Sequence, residues 1–119
     1  NFGKAIRWAE KAVSSSKSGE AYAQRGNVYY KSFQECRSAD ISIDDRIVAS
    51  LAYESFTVAE ENDYRRFHNS LVWLEENEVL FGRSHWFMLD ANKKKQGYVK
   101  PDSECYKWVE KKLDKDPNW

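Results

Sequence analysis

A glycine in the middle of a helix needs a reason, and Gly26 is the residue that most restricts how this sequence can fold. It lies in Gly19–Lys31, whose spacing predicts a helix with Tyr22, Gly26 and Tyr29 on one stripe. Steps of four and three residues return to the same helix face. Glycine there costs about 1 kcal/mol relative to alanine. The usual compensation is a second helix that crosses too close to leave room for a Cβ. The sequence therefore predicts at least two helices in tight contact, with Gly26 at the crossing.

Composition agrees with a helical chain. Among 119 residues there are five Gly and two Pro, too few for a turn-rich β-sandwich. The length fits one domain over 1–119, or a few helical repeats with a modest core. Nineteen Lys and Arg balance nineteen Asp and Glu. Nucleic-acid binders normally carry a basic excess, so this neutrality counts against one. The charge is nonetheless uneven. Residues 1–39 hold seven basic and three acidic side chains, 40–90 four and eleven, and 91–119 eight and five. Such blocks are usually solvated helix faces, although an acidic middle between basic ends also permits head-to-tail self-association. Cys36 and Cys105 lie in no CxxC pair, so one disulfide or none is allowed and the redox compartment stays open. No apolar run approaches the roughly eighteen residues of a membrane span.

Along the chain, a first helix is expected over 3–16, with Ala5, Ile6, Ala9, Ala12 and Val13 on one face. The polar run Ser14–Gly19 ends it, and the second helix follows from Gly19 to about Ser32. Phe33–Ser42 breaks the helical pattern. Ser42 followed three residues later by Asp45 reads as a capping-box start with acids at the helix N-terminus. That helix runs to about Glu61 with Ile47, Val48, Leu51, Ala52, Ser55, Phe56 and Ala59 at helical spacing. Another is expected from near Tyr64 to Glu76–Asn77. The apolar stretch 78–89 reads as a helix broken at Gly82, with a buried strand as the alternative. A basic connector occupies 90–101, and Pro101–Glu104 opens a last helix that runs to about Leu113.

The small rhythm Ala5, Ala9, Ala12, the stripe Tyr22, Gly26, Tyr29 and the set Ala52, Phe56, Ala59 together resemble tetratricopeptide repeats of the bacterial kind. The better matches cover 3–31 and 43–61; a weaker one covers 102–118, where Cys105, Val109 and Lys112 repeat the spacing before Asp116–Pro117–Asn118. The family's period is about 34 residues, whereas Ala5 and Ala52 lie 47 apart, which implies an insertion. Arg25 stands where the family buries a leucine, its head expected to reach solvent. The resemblance implies an all-α fold of antiparallel helix pairs stacked as a short right-handed superhelix, with an irregular C-terminal part. It also implies a non-enzymatic module that holds a protein or peptide in a helical groove. Carried over, the groove side is Glu20, Ala23, Gln24, Asn27, Tyr30 and Lys31, with Asn27 offering a donor and an acceptor to an extended backbone. Bacterial cytoplasm and envelope both remain open as compartments. The chain begins with Asn1, which fits a fragment or mature form that has lost a signal peptide.

Little else points to chemistry. His68 and His85 are the only histidines, and no HExxH or CxxC spacing supports a metal. No cofactor motif appears, no nucleophile sits in a GxSxG setting, and the acid clusters at 60–63 and 75–78 read as helix ends. Trp73, Trp86 and Trp108 read as core or inter-helix packing. Lys93–Lys95 with Tyr98 and Lys100 provides the second reading, a nucleic-acid or acidic-surface contact through the connector 93–100. Self-association through the charge blocks and Trp119 is the third.

Overall fold

The computed structural model describes all 119 residues, and three long helices carry it. They are α1 (Phe2–Ser16), α2 (Gly19–Cys36) and α3 (Ile43–Glu61). Lys17, at φ 52° in the left-handed region, ends α1, and Ser18 Oγ then accepts the Ala21 N–H to cap α2. Neighbours run antiparallel, since Glu10 meets Arg25 across α1 and α2, and Gly26 meets Phe56 across α2 and α3. The expected capping box opens α3. Ser42 Oγ accepts from the Asp45 N–H and the Asp45 carboxylate accepts from the Ser42 N–H, each at 3.0 Å.

The core centres on α3. Ile47 through Ala52 are buried without interruption, the pattern of a helix covered on every side rather than along one stripe. Its crossing with α2 accounts for the glycine. A Cβ on Gly26 would stand 2.8 Å from the Phe56 ring and 3.1 Å from Ser55 Cβ. Gly19 is confined as well, because a Cβ there would meet Tyr64 Cβ at 2.6 Å and the Asn62 carbonyl oxygen at 2.9 Å. Gly26→Ala should therefore destabilise the protein by about 1 kcal/mol, since overpacking costs roughly 1–3 kcal/mol and the gain in helix propensity returns only about 1 kcal/mol. Denaturant titration measures it; a variant at least as stable as the native protein would show that the Phe56 ring yields freely.

Arg25 differs from its expectation. Its side chain is 11% exposed, with Nε donating to Ser55 Oγ and Nη1 to Glu10, both at 3.0 Å. The guanidinium stays inside and ties the three helices together. Ala5 also departs from the expected small-residue face. It is exposed, while Ile6 and Ala9 are buried and Ala12 and Val13 half-buried.

Beyond α3 the chain becomes short elements: α4 (His68–Glu76), α5 (Arg83–Phe87) and α6 (Ala91–Lys95). The helix expected from near Tyr64 begins only at His68, after turns at 62–63 and 66–67. The helix expected over 78–89 forms only as α5: residues 77–78 turn, with Glu78 at φ 52°, 79–82 are irregular, and Gly82 caps the start of α5 rather than breaking a longer helix. This stretch is pinned to α3 by polar bonds: the Phe81 N–H donates to Ser50 Oγ at 2.8 Å, and Arg46 donates to the carbonyl of Glu78 at 2.9 Å.

The expected last helix does not form. In its place are a single 3-10 turn at Glu104–Tyr106 and a strand β2 (Leu113–Asp114), antiparallel to β1 (Tyr98–Val99). Long-range partners override the local spacing here. Cys105 is bonded to Cys36. The Tyr106 hydroxyl donates to Asp45 Oδ1 at 2.6 Å, and Asp44 Oδ2 accepts from the N–H groups of Asp102 and Ser103. Trp119 docks back against Phe81 and Trp86. The molecule is mostly helical with stacked antiparallel pairs, and its C-terminal part is a strap drawn across α2 and α3.

Candidate functional site

The α2 face expected to form the groove is only partly available. Glu20, Gln24 and Lys31 are exposed and Asn27 is half-buried. Ala23 and Tyr30 are buried, at 1% and 9% exposure. Tyr30 meets Phe56 and Trp73 edge-on. The helix continues four residues beyond the expected Ser32, to Cys36, and α4 lays Trp73 against Tyr30 and Phe33. Without Tyr30 the remaining stripe is polar and has no apolar anchor.

A better-formed concavity lies on the other side, between α1 and the strap. It is an open cleft of about 710 Å³, within the range of ligand clefts. Ile6, Tyr29 and Trp108 supply its apolar surface, and Arg7, Lys11, Glu10, Glu110 and Lys111 its charges. The helical pitch brings Gly3, Arg7, Glu10 and Ser14 of α1 to the same wall. The facing wall exists because the strap is fastened. Cys105 is joined to Cys36 at the end of α2, and three residues later Trp108 stacks on Tyr29 at 5.8 Å and on Phe2 at 5.7 Å. Trp108 Nε1 donates to the Cys105 carbonyl at 3.1 Å, which fixes the indole.

The electrostatics are specific. Glu10 is already held by Arg25 at 3.0 Å. Arg7, Lys11 and Lys111 then face a single unpaired acid, Glu110, so the mouth is net basic. Tyr29 is 1% exposed yet lines this cleft. Burial first, then the charges of Glu10 and Glu110, push its hydroxyl above the ordinary 10, against the opposing pull of Arg25. A protonated phenol such as this can both donate and accept.

Trp108 packs between elements as its sequence setting led one to expect, stacked on Phe2 and Tyr29, and in that position it also lines the cleft, which its setting in the sequence did not show. Its place becomes readable only once Cys105 is known to pair with Cys36, because that bond sets the strap against α1. The histidines serve local structure. His68 Nδ1 lies 2.9 Å from Glu60 in a surface network with Arg65. His85 Nδ1 accepts the Gly82 N–H at 2.9 Å, and burial with the nearby Arg46 charge lowers its pKa. No three His, Cys, Asp or Glu side chains are grouped to hold a metal ion, and no helix is long and apolar enough to cross a membrane. No family model, curated protein or solved structure matches this chain.

Proposed function

We propose that this chain is a non-enzymatic interaction module that holds a peptide or protein segment in the cleft between α1 and the strap. The observation that carries the reading is the Ile6–Tyr29–Trp108 surface beneath a basic mouth. Aromatic side chains give large contact area at low entropic cost, and a cleft already braced by a disulfide has little left to order on binding. The tetratricopeptide resemblance of 3–61 supports the same class of function but places the groove on α2. The geometry favours α1 and the strap, because Tyr30 is not free to act as an anchor. The preferred segment pairs an apolar or aromatic anchor with an adjacent acid: the anchor meets Trp108, and the acid meets Arg7, Lys11 or Lys111. The disulfide fits an oxidising compartment, which favours the envelope or beyond over the cytoplasm.

Selection from a displayed random-peptide library, followed by calorimetric titration, tests this. Enriched peptides should carry an aromatic or aliphatic residue beside Asp or Glu. Arg7→Glu/Lys111→Glu should weaken them about tenfold, as expected when like charges are set against each other at an interface. Gln24→Ala/Asn27→Ala should leave affinity unchanged. The reverse pattern would return the site to α2, and failure to enrich any peptide would reject the module.

A further inference from the structure

Two of the most exposed apolar side chains stand together at the end of α5. Phe87 is 53% exposed and Met88 78%. Apolar residues scattered singly on a surface are ordinary, but this pair is flanked by cations. The Arg83 guanidinium and the Lys94 ammonium each lie 5.5 Å from the Phe87 ring centre. Lys93 and Lys95 continue the charge along α6. Across residues 83–100 there are five Lys and Arg against one acid, Asp90. That carboxylate already accepts the Lys93 N–H at 2.9 Å as the cap of α6. Asp44 and Asp102 line one pocket with Lys93 and Lys100, a lining in which Arg83, Lys94 and Lys95 have no part. None of these three belongs to any of the molecule's salt bridges.

We propose that the Phe87–Met88 patch docks the protein on an anionic phospholipid bilayer. Phe87 and Met88 enter the boundary between headgroups and acyl chains, while Arg83, Lys94 and Lys95 stay at the level of the phosphates. An interface of this kind rewards apolar tips and a cationic ring together. A nucleic acid would use the cations but leave Met88, the most exposed large apolar side chain here, without a partner. The contact is peripheral, since no helix can span the membrane, and it is independent of the cleft.

Sedimentation of the oxidised protein with phosphatidylcholine vesicles, with or without phosphatidylserine, is the test. The protein should pellet with the phosphatidylserine vesicles alone, and high salt should release it. Lys94→Glu/Lys95→Glu should weaken binding at least about tenfold, given roughly fivefold for each cation at an anionic surface. Phe87→Ser/Met88→Ser should reduce it comparably without altering the circular dichroism spectrum or the thermal midpoint. Pelleting with neither vesicle, equal pelleting with both, or binding that survives Phe87→Ser/Met88→Ser would overturn the proposal. So would tight capture of a single-stranded oligonucleotide in place of the vesicles. Peptide binding in the cleft should be unaffected by either double variant, so the two readings fail separately.

Discussion

Replacing Cys36 and Cys105 together by serine should lower the thermal midpoint by roughly 15 °C and abolish the peptide binding proposed for the cleft. The two cysteines are 69 residues apart in sequence. Closing a loop of that length in the unfolded chain corresponds to about 4 kcal/mol in the chain-entropy account. That is a large part of the total stability of a typical domain. The functional loss follows from position. Trp108 is three residues from Cys105 and forms one wall of the cleft, so a released strap no longer holds the indole against Tyr29. Thermal unfolding of native and doubly substituted protein, with titration of a selected peptide, measures both effects. A midpoint within a few degrees of native would mean that the remaining contacts hold the strap by themselves.

Asp45→Ala is the second large effect. Asp45 is 3% exposed, and its carboxylate serves one local and one distant group, the Ser42 N–H at 3.0 Å and the Tyr106 hydroxyl at 2.6 Å. Alanine removes half of the capping box, costing about 1 kcal/mol. It also strands the buried Tyr106 hydroxyl, costing about 1–3 kcal/mol more. The expected total is about 3 kcal/mol. A cycle with Tyr106→Phe separates the parts. Removing the hydroxyl should hurt the native protein and be nearly neutral, or favourable, once Asp45 is gone. Additivity to within about 0.5 kcal/mol would show that the two side chains are not coupled.

The sequence was most readable where the physics is local. Gly26 announced the α2–α3 crossing because its propensity cost is paid wherever it sits in a helix, and Phe56 proves to be the side chain that fills the space. Ser42 and Asp45 announced the start of α3 because a capping box needs only four consecutive residues. Reading failed where distant partners decide. Cys105, Val109 and Lys112 have helical spacing, yet the disulfide, Asp44 and Asp45 hold the surrounding backbone in another form. Tyr30 looked like a groove residue until α4 placed Trp73 beside it. The cleft was illegible for the same reason. Its lining comes from residues 3–15, Tyr29 and 108–111, and nothing in any of these stretches names the others.

The first turn of α3 carries a consequence for the order of assembly. Three adjacent residues, Asp44, Asp45 and Arg46, each grip a different part of the later chain: 102–103, Tyr106, and the carbonyls of Glu78 and Leu80. The α1–α3 hairpins can condense through contacts between sequence neighbours, which form early because little chain entropy is lost in closing them. The later segments have no comparable framework among themselves and must wait for that turn. During synthesis the dependence runs one way, from the N-terminal helices to the strap. The cleft proposed to hold a peptide, which borrows a wall from each, is then among the last features of the molecule to exist.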